Sequence, residues 1–178
     1  AMRDLAMVQY QSAQNMTDQI AALRVLTHTE CAERDEVLAS FYEQWKDDAL
    51  VIDKWFIAQA TATLADTPSR TRQLLEHEAF DIRGPNRVRA LIGAFSQSNP
   101  LSFHDASGDG YRILADTVMQ LNTLNPQIAA RLSLPLIQWR RYDELRQNLM
   151  KQQLKRLSEL PDLAKDVFEI VSRGLDEH

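Results

Sequence analysis

The segment from Gly84 to His104 constrains the fold more than any other part of the chain. It opens on Gly84-Pro85. Proline suits the first position of a helix, because its missing N–H would have no partner there and its φ is already helical. The segment then carries Val88, Leu91, Ile92 and Phe95 on one apolar stripe at helical spacing. It closes on Ser98-Asn99-Pro100, where a helix is expected to end. A helix with one apolar face is held by burying that face against neighbours, so this stretch asks for a layered helical fold.

The rest of the chain repeats the pattern. Strong helix formers fill the stretches between only 5 glycines and 6 prolines, which predicts an all-α fold. An uncapped first helix is expected from Met2 to Ala13. Asn15 to Asp18 offer capping side chains ahead of Ile20, Leu23 and Leu26. Leu38, Phe41 and Trp45 mark the next helix, and Ile52, Trp55 and Phe56 another. Thr67-Pro68 starts a helix that reaches Leu74 and Leu75. Leu114, Val118 and Leu121 continue the periodicity, and Asn125-Pro126 restarts it until Pro135 breaks it. A long helix from about Asp143 carries Met150, Leu154 and Leu157. After Pro161, Leu163, Val167, Ile170 and Val171 mark the last.

About ten helices result, joined by short connections that favour antiparallel neighbours. The expected architecture is a right-handed superhelical array of antiparallel helix pairs, HEAT/armadillo-like, without exact sequence repeats. Nothing reads as a strand or a linker, so residues 1–178 are expected to form a single helical domain.

The 44% of apolar residues suffices for a sizeable core. Net charge is −5 and the pI about 5.4, with no basic block of the kind that binds nucleic acid. Arg140, Arg141 and Arg146 are interleaved with Asp143 and Glu144 and read as a solvated face. No apolar run reaches the roughly 18 residues of a membrane helix. The single cysteine, Cys31, excludes an internal disulfide and sits among acidic residues that disfavour its thiolate. No secretory leader is visible, so a cytoplasmic location is expected. Ala1 before Met2 reads as a scar, and the domain is expected to begin at a cut.

Chemistry-bearing motifs are few. Zinc peptidases of the His-Glu-x-x-His type need two imidazoles one helical turn apart, with the glutamate acting on the metal-bound water. Here His77-Glu78-Ala79-Phe80-Asp81 puts Asp81 where the second histidine belongs. None of His28, His77, His104 and His178 forms a pair at ligand spacing. His77 and Glu78 otherwise read as polar residues near a helix end.

The run Asp105-x-Ser107-x-Asp109-Gly110, with Asp116 further on, approaches the EF-hand calcium loop. It departs at Asp116, shorter than the usual glutamate, and at Arg112, where an apolar side chain belongs. The alternative is a glycine-rich turn whose Asp109 helps start the next helix. No hydrolytic triad or phosphate loop is visible. Arg89, just off the Val88 stripe, and Arg131, beside Ile128 and Leu132, border buried faces. Both either point toward a concave surface or are salt-bridged or simply exposed.

Several longer runs resemble the C-terminal helical domain of bacterial aminopeptidase N, a zinc metallopeptidase family. They are residues 13–18 (Ala-Gln-Asn-Met-Thr-Asp), 50–60 (Leu-Val-Ile-Asp-Lys-Trp-Phe-Ile-Ala-Gln-Ala), 86–95 (Asn-Arg-Val-Arg-Ala-Leu-Ile-Gly-Ala-Phe) and Ser98-Asn99-Pro100. Gly108-Asp109-Gly110-Tyr111, Leu121-Asn122, Asn125-Pro126-Gln127 and Lys165-Asp166-Val167 follow in order. The resemblance implies an accessory domain that closes over a catalytic domain of the same polypeptide and limits the entry of peptide substrates. That catalytic domain would hold the zinc and remove N-terminal amino acids, while this chain holds no metal or cofactor and is not catalytic alone. It also implies that Arg89 and Arg131 face the enclosed chamber, near the C-terminal side of a bound peptide.

Two other readings stand beside it. One is a free-standing helical-repeat interaction module, whose two ends would be capped by polar faces. A severed domain would instead expose apolar residues near its start, around Leu5, Met7 and Val8. The other is a calcium-binding helical protein, which calcium would stabilise.

Overall fold

The structure, a computed structural model, describes residues 1–176. His178 lies outside the described residues. Those residues form α1 (Met2–Ser12), α2 (Met16–Thr27), α3 (Glu33–Trp45), α4 (Ala49–Ala60), α5 (Thr67–Leu75), α6 (Pro85–Val88), α7 (Ala94–Ser98), α8 (Pro100–Phe103), α9 (Asp109–Leu124), α10 (Pro126–Ser133), α11 (Glu144–Ser158) and α12 (Lys165–Leu175). A π segment over Arg89–Gly93 joins α6 to α7 into one rod, and a 3-10 segment over Leu136–Arg141 follows α10. No strand occurs among the described residues.

Helix starts follow the capping signals. Asn15 Oδ1 accepts from the Asp18 N–H at 2.9 Å and starts α2. Asp48 accepts from the Leu50 and Val51 N–H groups and starts α4. Asn125 and Asp143 do the same for α10 and α11. Each occupies otherwise orphaned N–H groups of a first turn. α1 has no side-chain cap, as its sequence predicted.

The structure adds three details to the sequence reading. Ser98-Asn99-Pro100 ends one helix and at once begins another, because Asn99 Oδ1 accepts from the Ser102 N–H while its amide donates to the Ala60 and Ala62 carbonyls. Asp109 opens α9 as the acidic residue of its first turn, and the N-cap before it is Gly108, at φ 76°, a left-handed conformation that glycine reaches without strain. Leu163 precedes α12, because the Asn122 side chain holds the Asp162 carbonyl and the Ala164 N–H in an irregular turn.

Helices pack on near neighbours in the chain and on elements one or two further along: α1 on α2, α4 on α2, α3 and the π segment, α9 on α10 and α11, and α10 on α12. One core runs through the array, and Phe41, Phe56, Phe95, Phe103 and Tyr111 are its largest fully buried side chains. Val88, Leu91, Ile92 and Phe95 are all completely buried, as their stripe predicted. On α1, Met2, Leu5 and Val8 remain 72%, 72% and 62% exposed. Met7 instead packs against the core, so the uncovered stripe runs through Met2, Leu5 and Val8. No helix among the described residues is long and apolar enough to cross a membrane.

Candidate functional site

Three helical elements line a groove of about 660 Å³. From α4 come Leu50, Asp53 and Ile57, which helical spacing puts on one face. The rod over 85–98 contributes Asn86, Arg89, Gly93 and Gln97, again one face. From α10 come Ile128, Arg131 and Leu132. Arg89 and Arg131, far apart in sequence, are thereby brought to one concavity.

Both arginines are exposed. Arg89 Nε donates to the Pro85 carbonyl at 3.3 Å, which lays the stem back along its own helix. Among the described residues no carboxylate forms an ion pair with either guanidinium, so the salt-bridged alternative does not hold. Arg89 opens the π segment, and the wider turn places Gly93 beside its stem. A Cβ at Gly93 would lie 3.7 Å from the Arg89 Cβ, so the glycine leaves that side of the stem clear.

Asp53 is the groove residue that sequence reasoning passed over. Its Oδ1 lies 3.4 Å from Arg87 Nη1. Neither atom completes a hydrogen bond, and both are buried. The Arg87 guanidinium also lies 5.1 Å from the centre of the Phe56 ring, a cation–π contact. The signal was available: Leu50, Asp53 and Ile57 recur at helical spacing on an α4 face that borders the buried Ile52 and Phe56.

The zinc-like motif is structural. His77 packs edge-on against Tyr42 at 4.8 Å between ring centres and also meets Trp55 and Phe56. Its Nδ1 accepts from the Ala79 N–H, and Glu78 accepts from the Tyr42 hydroxyl at 3.0 Å. Burial, reinforced by the nearby Arg87 charge, lowers its basicity. These residues do not fit a zinc ion, and no group of three His, Cys, Asp or Glu among the described residues suits a metal.

The calcium-like loop is likewise committed elsewhere. Asp109 pairs with Arg112 at 2.6 Å, and Asp116 pairs with Arg156 at 2.6 Å. Arg72 stands 3.7 and 3.8 Å from the same two carboxylates. Asp105 caps its own turn by accepting from the Ser107 N–H. The ligand oxygens an EF-hand would aim at one ion are spread over three arginines.

His104 forms a second polar cluster. Its Nδ1 lies 2.7 Å from the buried Tyr111 hydroxyl, and its ring stacks on Tyr142 at 4.1 Å. Arg146 donates to the His104 carbonyl and pairs with Asp143. Burial, with the Arg146 charge nearby, pushes the His104 pKa down to about 4, and burial raises that of Tyr111.

A family model described as a domain of unknown function, DUF3458_C ARM repeats, matches residues 1–176. The chain belongs to this ARM-repeat domain family. The expected armadillo-like array agrees with that description. The ARM-repeat domain is 45% identical over 172 residues to aminopeptidase N of Haemophilus influenzae, covering 97% of this chain and 20% of that protein. It is 42% identical over 167 residues to aminopeptidase N of Escherichia coli, covering 94% of this chain and 19% of that protein. A crystal structure of Legionella pneumophila aminopeptidase A in complex with aspartic acid superposes with a TM-score of 0.92 at 35% identity, over 99% of this chain and 21% of that one. The ARM-repeat domain thus spans about a fifth of the length of these relatives.

Proposed function

We propose that residues 1–178 are one helical accessory domain of a zinc-dependent aminopeptidase that removes N-terminal amino acids from peptides. The domain closes over a catalytic domain of the same polypeptide and limits which peptides enter. Arg89 and Arg131 face the enclosed space and bind the carboxyl end of a peptide. The zinc and the hydrolytic residues reside in that other domain, and the enzyme works in the cytoplasm. The observation that carries this reading is the convergence on one groove of two arginines without ion-pair partners among the described residues. A guanidinium fork matches a carboxylate bidentately. The uncovered Met2, Leu5 and Val8 stripe supports burial against further polypeptide, since apolar patches of this kind mark interaction surfaces.

Peptide titration tests the site. Acetylated tetra-alanine with a free carboxylate should shift the amide NMR signals of residues 86–97 and 128–132, and its C-terminal amide should not. Arg89→Ala and Arg131→Ala should each weaken the carboxylate-dependent part by about tenfold, the scale of a lost charge-assisted contact. Equal binding of acid and amide would sink the reading. Immunoblotting of source-cell lysate separates the accessory domain from a free-standing interaction module. A band several-fold heavier than 20.4 kDa supports the former, and one at that mass supports the latter.

A further inference from the structure

We infer that Asp53 makes the groove charge-selective, so that it accepts a cationic side chain at the carboxyl end of a peptide and rejects an acidic one. The inference rests on the reading that Arg89 and Arg131 take the terminal carboxylate. The groove is electrically asymmetric: the carboxylate of Asp53 stands on the α4 side, and the guanidinium of Arg131 on the α10 side. Arg89 lies on the rod over 85–98 that lines the groove with them.

Arg87 pairs with the carboxylate through one oxygen only. It faces Asp53 Oδ1 without forming a hydrogen bond, and its guanidinium is shared with the Phe56 ring. Oδ1 is buried against Arg87, so a ligand in the groove meets Asp53 through the exposed remainder of its carboxylate. Asp53 is 17% exposed at its side chain, enough to meet a group that lies in the groove. An ammonium there gains a partner. A second carboxylate there meets like charge after the arginines have been used by the terminal one. The apolar Leu50 and Ile57 flank Asp53 on the same helix face and give the stem of a long side chain a surface to lie on.

Acetylated tripeptides of alanine extended by lysine, norleucine or glutamate, each with a free carboxylate, are titrated into the 178-residue chain and followed by NMR shifts. The expected order of affinity is lysine, norleucine, glutamate. The lysine-to-norleucine ratio should be about threefold to fivefold, the scale of a partly exposed ion pair. Asp53→Asn should bring that ratio to near one. Asp53→Glu, which keeps the charge, should retain it, as should Asp47→Asn outside the groove. Melting curves confirm that the variants fold. Equal affinities for the three peptides, or a ratio unmoved by Asp53→Asn, would overturn the inference while leaving carboxylate capture by Arg89 and Arg131 intact. If the amides of the same peptides bind as well as the acids, the carboxylate reading falls and takes this inference with it.

Discussion

Gly110 and the carbonyl of Phe103 touch with no room for a side chain between them. A Cβ on Gly110 would overlap the carbonyl oxygen and come within 2.8 Å of the carbonyl carbon. The obstacle is backbone, so it cannot swing aside. Gly110→Ala should therefore destabilise the chain by about 3 kcal/mol or more, at the upper end of overpacking. Thermal melting checks this, and a change under 1 kcal/mol would show that α8 and α9 can slide apart cheaply.

Asn122 ties α9 to the turn before α12. Its side chain donates to the Asp162 carbonyl and accepts from the Ala164 N–H, each at 2.8 Å. Asn122→Ala removes both hydrogen bonds and leaves backbone groups without partners, at an expected cost of about 2–3 kcal/mol. Hydrogen exchange at Ala164 should rise in parallel; unchanged protection there would assign the stability loss to another cause.

Calcium should not stabilise the chain. Asp109 and Asp116 are held by Arg112, Arg156 and Arg72, so an incoming ion would have to displace arginines. Millimolar calcium is expected to leave the melting temperature where it is. A rise that grows with calcium concentration would mean that the loop rearranges around the ion.

His104 predicts a stability that falls on acidification. Burial and the Arg146 charge hold its folded pKa at about 4, against 6.5 for the ordinary side chain. Between those values the unfolded chain binds the proton and the folded chain does not. The contribution is complete above about 6.5 and is lost progressively as pH falls toward 4. Allowing for partial exposure, it is on the order of 2 kcal/mol. His28 and His77 shift in the same direction, mainly through burial, so His104→Asn should remove only part of the slope. A ring titration by NMR with a midpoint near 6.5 would refute the assignment.

Much of this architecture is legible in the sequence, because its signals are local. Pro85, Pro100 and Pro126 mark helix starts, and Asn15, Asp48 and Asn125 supply the caps without reference to distant residues. What lay hidden depends on pairs far apart. The arginines that occupy Asp109 and Asp116 come partly from α5 and α11, so loop spacing alone mimicked an EF-hand. Asp53 looks like any polar residue on a helix until the rod over 85–98 and α10 enclose it. The π segment left no mark on the apolar stripe, since Val88, Leu91, Ile92 and Phe95 are buried with it as they would be in a regular helix.

The wide turn over Arg89–Gly93 has a consequence for how sequences of this kind can change length. A π turn holds one residue more than the α-helical turn it replaces, so losing one residue there lets the rod relax to an unbroken α-helix. Such a deletion would leave the rod continuous. The turns on either side would also keep their mutual orientation, because Arg89 and Gln97, then seven residues apart, still fall on one face, whereas the loss of a residue elsewhere in the rod would turn one side by about 100° against the other. Among natural variants, a single-codon gap at this turn would mark chains that keep both the scaffold and the groove, whereas a gap elsewhere in the rod would mark chains whose groove and buried stripe have been turned apart.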